Sequence, residues 1–329
     1  MQSSGGPTIY DVAKAAEVAP STVSRALSNP GRVSFETAER IRRVAAELGY
    51  RSRPMQRELD RRDGMLLLVV ADITNPAFNG LIRGAQQSAQ DAGYVLSIMD
   101  TQDSGPQEER LLTKMTERVD GIVLGGSRMP DSAIRRFAKQ RPLIVVNRIV
   151  SQVRSLVSDD VRGMKRAAEH LGRFGHREIA YLGGPETSWA DSVRWRGLLE
   201  AGMELDLRTT RIGPFPPTLA GGAEAFERWR TAPTTAVVAY NDLIAMGFVE
   251  SARRHGVAVP DFVSVIGFDN TLNSLQMVPA LTTIAAPVFS LGVAAINQIL
   301  VHREGKRQAS VVLPTRLVVR ESTGPARRP

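Results

Sequence analysis

Between Asp11 and Leu27 the chain runs DVAKAAEVAPSTVSRAL, and its short polar residues are grouped rather than scattered. Ser21, Thr22, Ser24 and Arg25 follow Pro20 directly, on what the spacing makes a short helix. Serine and threonine hydroxyls reach phosphate oxygens without steric cost, and an arginine fork can be bidentate to a guanine edge. Small apolar residues, Ala13, Ala16, Val18 and Val23, recur where two short helices would touch. The chemistry implied is recognition of duplex DNA, weighed against an ordinary helical hairpin.

Bond-making chemistry finds no second constellation. Cysteine is absent, which excludes disulfides, thiolate metal sites, iron–sulfur clusters and thiol nucleophiles. The four histidines, His170, His176, His255 and His302, show no metal-ligand spacing, and His176 in FGHREIAYL reads as a packing residue. Gly125-Gly126 and Gly183-Gly184-Pro185 follow apolar runs but lack dinucleotide or P-loop spacing, and GxSxG does not occur. Asp159-Asp160 and Asp100/Asp103 lie at strand ends before helices, where capping is expected rather than acid–base work. Nothing here asks for a catalytic residue, a metal or a cofactor.

The elements that must hold these residues divide near residue 63. Ile9–Glu17, Pro20–Leu27 and Ser34–Leu48 have helical spacing, with Thr8 and Ser34 placed to cap, Pro20 at a tolerated first position and Gly49 placed to end the third helix. Asn29-Pro30-Gly31 is a turn by composition. Three helices with a short second one suit a helix-turn-helix headpiece. The polar, basic stretch from 51 to 63 suits a linker, or a helix ordered by a partner.

From Met65 apolar runs alternate with amphipathic helices: MLLLVVA, YVLSIM, GIVLG, PLIVVN, EIAYLGG, TAVVAY and VSVIGF. Their apolar character is continuous, as in strands covered on both faces. Helices are expected at Asn79–Ala92, Glu108–Arg118, Val161–Arg173, Arg194–Gly202 and Leu243–His255. This is doubly wound α/β, and so many strands favour two subdomains.

The whole chain of 329 residues carries a net charge of +8, which directs attention to a polyanionic partner. Its longest apolar run, Met65–Ala71, is strand-sized, far short of the roughly 20 residues a membrane span needs. The opening MQSSGGP lacks a basic or apolar leader pattern, so a cytoplasmic location is expected.

The segment Asp11–Leu27 resembles the headpiece of the lactose repressor/galactose repressor family, whose pattern is D-V-A-x-x-A-G-V-S-x-x-T-V-S-R-x-L. Asp11, Val12, Ala13, Ala16, Val18, Thr22, Val23, Ser24, Arg25 and Leu27 match, and VSFETAERIRRVAAELGYR continues the likeness. Glu17 stands where that family has a turn glycine, and Ala19 where it has a capping serine. The resemblance implies base reading by Pro20, Ser21 and Arg25. It implies phosphate contacts by Thr8, Tyr10, Thr22, Ser24, Ser28, Arg32, Ser34 and Thr37. SRPMQRELDRR is similar to the family's hinge helix, so Gln56, Arg57 and Leu59 would meet the minor groove, Leu59 as a wedge.

The likeness extends through DITNPAFNGLIRG, VDGIVL, HLGRFGHREIAYLGGP, RWRGLLEA, YNDLIAMG, VSVIGFDN, PALTTI and LPTRLVVREST, in undisturbed order. It implies an all-α headpiece followed by two doubly wound subdomains of periplasmic-binding-protein-like type. The expected boundaries are 1–50 for the headpiece, 51–63 for the hinge, 64–323 for effector binding and dimerisation, and 324–329 for a tail. Effector contacts are implied for Phe78, Asn79, Asn147, Arg148, Arg194, Phe215, Asn241 and Asp269. An arginine facing an aspartate can hold vicinal hydroxyls, while aromatics cover an apolar face. Ser188 and Ala190 carry no charge, which disfavours a purine against a sugar-like ligand.

The function expected is a DNA-binding transcription regulator, a repressor whose operator affinity answers to a small sugar or sugar derivative. A homodimer on a near-palindromic operator follows, because ESTGPARRP offers no heptad for a larger assembly. A transport-system binding protein would lack the headpiece, and an enzyme would need a catalytic constellation.

Overall fold

A computed structural model describes residues 7–28, 33–48, 50, 64–303 and 310–327. The hinge positions Gln56, Arg57 and Leu59, together with Arg32 and the turn at 29–31, lie outside the described residues. Helices α1 (Ile9–Ala15), α2 (Pro20–Ser28) and α3 (Phe35–Glu47) form the headpiece. Thr8 caps α1 in a capping box with Asp11, and Ser34 caps α3 by accepting from the Thr37 amide. Val12, Ala13, Ala16, Val23, Ala26, Ala38, Ile41, Val44 and Ala45 make its core, so small residues set the close spacing of the three helices. The turn between α1 and α2 puts Glu17 at φ 51, a conformation in which glycine avoids a cost of about 1–2 kcal/mol.

Beyond the linker the chain folds into two compact units. The first takes residues 1–73, which include the headpiece, with 78–157 and 287–314, and the second takes 158–286 and 315–329 together with the short segment 74–77. Each subdomain is therefore assembled from separated pieces of chain.

Unit 1 contains β1 (Gly64–Val70), α4 (Phe78–Asp91), β2 (Tyr94–Asp100), α5 (Gly105–Met115), β3 (Gly121–Gly125), α6 (Asp131–Ala138), β4 (Leu143–Val146) and β5 (Arg154–Ser158). Unit 2 begins at Ser158 and contains α7 (Asp160–Arg173), β6 (Glu178–Leu182), α8 (Trp189–Leu205), β7 (Arg208–Ile212), α9 (Leu219–Trp229), β8 (Ala236–Ala239), α10 (Asp242–Arg254), β9 (Ser264–Phe268), α11 (Leu272–Gln276) and β10 (Thr282–Ala285). The chain then returns to unit 1 with α12 (Val288–Arg303) and β11 (Val311–Leu313), and ends in unit 2 with β12 (Arg316–Val318).

The sheets have the orders β11-β5-β4-β3-β1-β2 and β12-β10-β9-β8-β6-β7. Their central pairs are parallel, while β12 runs antiparallel on β10. In both, the first strand of the unit lies between the second and third. The crossover direction therefore reverses beside it, and that reversal opens a crevice at the strands' carboxyl ends.

All seven apolar runs form strands, and β1, β3, β4, β8 and β9 are buried almost throughout. Helices cover both faces of each sheet, which is why these strands show no polar alternation. Four helices are not among those read from sequence: α6, α9, α11 and α12. The α12 segment, VFSLGVAAINQILVHR, is apolar on nearly every side, so no amphipathic stripe marks it. It lies close along α4 because Gly84 meets the Phe289 carbonyl and Gly292 meets the Leu81 carbonyl, where a methyl group would collide. The expected tail from 324 is partly structural: Gly324 and Ala326 bond to Ser264 and Phe174, and Arg327 covers the Phe262 ring at 3.7 Å.

Candidate DNA-reading face and effector site

On α2 the apolar positions Val23 and Ala26 point into the headpiece core, while Ser21, Ser24 and Arg25 are exposed. Positions 20, 21, 24 and 25 share one helical face, so the residues singled out for base reading lie side by side. Tyr10 on α1 is 70% exposed, an unusual position for an aromatic ring without a partner surface. Three residues expected at phosphates already serve the fold. Thr8 donates to Asp11 at 2.7 Å, and Ser34 donates to Thr37 at 2.8 Å. Hydroxyl oxygens at helix N-termini lie beside free backbone N–H groups, so capping and phosphate contact use the same place. Ser28 ends α2, and its side chain lies outside the described residues.

The second site centres on Arg194 of α8, which is 5% exposed. Its Nε donates to Asp160 Oδ2 at 2.8 Å and its Nη1 to the Tyr240 carbonyl at 2.6 Å. Its Nη2 stands 4.0 Å from Asp269 Oδ1, and the guanidinium plane lies 3.5 Å from the Phe268 ring centroid. Tyr240 follows β8 and α8 follows β6, so Arg194 spans the crevice where the strand order of unit 2 reverses. Burial alone would lower the arginine's pKa, but Asp160 and Asp269 outweigh it and push the value up.

Asp269 sits just past β9 at φ 116, a backbone region that disfavours any side chain. Among the described residues its carboxylate accepts no hydrogen bond, and burial, reinforced by Asp242 and Asp160, raises its pKa well above the usual range. By contrast Asp160 is filled, by Arg194 and by the Ser158 hydroxyl. Asp242 is filled too, by Thr283 at 2.6 Å and by the Thr271 amide and hydroxyl at 2.8 and 3.0 Å. Asn241 caps α10 by accepting from the Ile244 amide at 2.9 Å. Ser188 caps α8 and meets the Tyr240 hydroxyl at 3.0 Å.

Arg194, Asn241 and Asp269 are thus brought together within unit 2. In unit 1, Phe78 opens α4 half-buried beside an exposed Asn79, and Asn147 leaves β4 at φ 59 with a buried, unpartnered Oδ1. Two expected effector residues have other duties. Arg148 donates to the Ser127 and Met129 carbonyls and pairs with Asp131 at 2.5 Å, which locks the loop after β3. Phe215, 1% exposed, belongs to the unit 2 core with the Arg228 guanidinium over its ring.

Asp160 is the functional neighbour that sequence reasoning missed. It reads as a helix-capping residue beside Asp159, and Asp159 does cap α7 by accepting from the Arg162 amide at 3.1 Å. Its pairing with an arginine on the next helix leaves no local signal. His176 is the packing residue expected: 1% exposed, it meets Thr235 and Ser264 hydroxyls at 2.9 and 3.0 Å and the Gly324 carbonyl at 3.1 Å.

Residues 8–52 match the family described as bacterial regulatory proteins, lacI family, and residues 168–323 match the periplasmic binding protein-like domain. The transcriptional repressor CytR of Escherichia coli strain K12 is 32% identical, across 96% of this chain and 96% of that protein. The transcriptional regulator DegA of Bacillus subtilis strain 168 is 35% identical, across 97% and 98%. This chain belongs to the lacI family of bacterial regulatory proteins. A solved lacI-family regulator from Enterococcus faecium with bound ribose is also similar: TM-score 0.72 and 29% identity, covering 80% of this chain and 100% of that one. Membership makes this lacI-family chain a DNA-binding transcription regulator and not an enzyme, and the exposed face of α2 is the helix-turn-helix surface that goes with it. No described helix is long and apolar enough to cross a membrane.

Proposed function

We propose that this regulator is a cytoplasmic homodimeric repressor whose grip on a near-palindromic operator is set by a small sugar-like effector. Arg25, Ser21 and Pro20 read bases, and Thr8, Tyr10, Thr22, Ser24, Ser28, Arg32, Ser34 and Thr37 hold phosphates. Leu59, with Gln56 and Arg57, wedges the minor groove between half-sites. Arg194, Asn241 and Asp269 from unit 2, with Phe78, Asn79 and Asn147 from unit 1, face the effector.

The observation that carries the effector reading is Asp269. A strained carboxylate that accepts no hydrogen bond among the described residues stands beside a buried guanidinium at a strand-order reversal, and strain of this kind collects at binding sites. Ribose in the Enterococcus faecium relative supplies the hydroxyl chemistry that such a carboxylate accepts. Effector binding at the crevice biases a two-state arrangement of the subdomains and, through it, the order of the hinge. A thermal-shift screen of sugars, sugar acids and nucleosides, followed by operator titrations with any hit, tests this. A ligand that raises the melting temperature and changes operator affinity supports it, and a screen without any stabilising ligand overturns it.

A further inference from the structure

The headpiece belongs to the first compact unit, because α3 rests along α4 and α12 instead of standing clear of them. On α12, Leu291, Ala295 and Ile299 belong to the core under the sheet, and helical spacing turns Phe289, Ser290, Val293 and Asn297 outwards. That outward side is where α3 lies. The Ser290 hydroxyl donates to Glu39 Oε1 at 3.2 Å and accepts from Arg42 Nη1, so it sits between the two members of an ion pair 2.9 Å long. Ser290 is 1% exposed and the Arg42 side chain 10%, and Arg42 also donates to the Ala26 carbonyl at 3.4 Å. A serine on the outer side of a helix is thus buried by an arginine 248 positions away.

The contact is polar and incompletely filled. Between α3 and the two helices lies a cavity of about 320 Å³, walled by Leu27 and Tyr50 of the headpiece and by Gln87, Phe289 and Val293 beyond it. Folded interiors hold few voids larger than a water molecule, so a joint with this much space is built to open and close. Opening costs its polar groups little, since Ser290, Glu39 and Arg42 all exchange their bonds for water. The base-reading face is not covered: Ser21, Ser24 and Arg25 stay exposed while α3 is held. What the contact restrains is the headpiece as a body. Tyr50, after which the chain enters the hinge, lines the joint, so a hinge drawn into a minor groove draws the headpiece off α12.

We propose that this contact is an intramolecular latch: the DNA-free regulator stores its headpiece against α4 and α12 of the same chain, Ser290 is the catch between Glu39 and Arg42, and operator binding competes with the stored form. The inference rests on the reading above that the hinge enters the minor groove. It goes beyond that reading by giving the unbound headpiece a place of its own, whose occupancy subtracts from apparent operator affinity.

The chain holds no cysteine, so an introduced pair reports on the latch without background. In the full chain, Glu39→Cys with Ser290→Cys should be bridged by a short bismaleimide into a product of single-chain mass. An excess of DNA selected by the wild type from a random pool should suppress that bridging. Once bridged, the protein should bind the selected DNA at least about tenfold more weakly than the unbridged pair. Ser290→Ala should act in the opposite direction. It removes hydrogen bonds to charged groups in the stored form only and adds no charge, so affinity for the same DNA should rise about three- to tenfold. Bridging that does not occur within a chain, a bridged protein that binds as tightly as the unbridged one, or a Ser290→Ala variant that binds no more tightly than wild type overturns the latch. Failure of the hinge reading shows separately, as unaltered operator bending in Leu59→Ala, so the two can be told apart.

Discussion

Single residues divide here into those that hold the fold and those left waiting for a partner, and substitutions should separate them. Asp160 is locked to a buried guanidinium, so Asp160→Ala leaves Arg194 uncompensated and should cost about 3–5 kcal/mol of stability. Asp269 stands 4.0 Å from the same arginine and is strained, so Asp269→Ala should leave the melting temperature near that of wild type. The effector, however, should lose about 1–3 kcal/mol of binding as its hydroxyls go unpaired, with operator affinity in its absence unchanged. Calorimetric melts and ligand titrations on the two variants check this, and a melt that falls equally in both would put Asp269 with the structural residues. His176 behaves differently, because burial depresses its pKa below the usual histidine value. The folded state prefers the neutral ring, so its contribution is present above about pH 6.5 and fades as pH falls through the lower folded value. His176→Gln should melt lower at pH 7.5 but with a flatter pH dependence, measured by thermal scans from pH 5 to 8.

Elements show where local pattern suffices and where it fails. Seven strands were legible because a chain run buried on both faces must be continuously apolar, and each such run became a strand, whereas β5, β7, β10, β11 and β12, short or partly polar, were not read. The caps at Thr8 and Ser34 were legible too, since capping is a matter of a few neighbouring residues. What sequence could not show is pairing across elements. Asp160 to Arg194 and Asp131 to Arg148 join side chains that adjacent sequence never brings together, so Asp160 read only as a cap. The helix α12 was missed because an element enclosed on most sides has no polar stripe. In the headpiece, the turn between α1 and α2 departs from the usual family residues at Glu17 and Ala19. Glu17→Gly should relieve the positive φ and stabilise the headpiece by about 0.5–1 kcal/mol, and Ala19→Ser should add about 1 kcal/mol as an N-cap. Denaturant titration of the double variant checks both, and no gain would mean that this turn already accommodates its residues without strain.

At the scale of the whole molecule, the +8 charge and the two α/β units serve different partners. Arg25→Ala should cost about 1–3 kcal/mol on the operator and relax preference at one base pair, whereas Arg32→Ala should weaken all DNA alike and lower the salt slope by about one. Leu59→Ala should remove most operator bending in a circular-permutation assay without changing effector affinity, since a wedge acts only in the groove. Sedimentation should show a dimer at micromolar concentration, the symmetry that a near-palindromic site requires.

The central claim, that one chain joins a DNA-reading face to a ligand-sensing crevice, is tested most directly by fluorescence anisotropy on DNA selected by the full chain from a random pool. The titration is made with and without the compound that most raises the melting temperature. The account expects the selected site to be near-palindromic and bound at least about a thousandfold more tightly than scrambled DNA of equal length. It also expects the compound to change that affinity about fivefold or more, since coupling between two such sites is typically about 1–3 kcal/mol. Equal affinity for selected and scrambled DNA, or a compound that binds tightly and leaves operator affinity where it was, would contradict it.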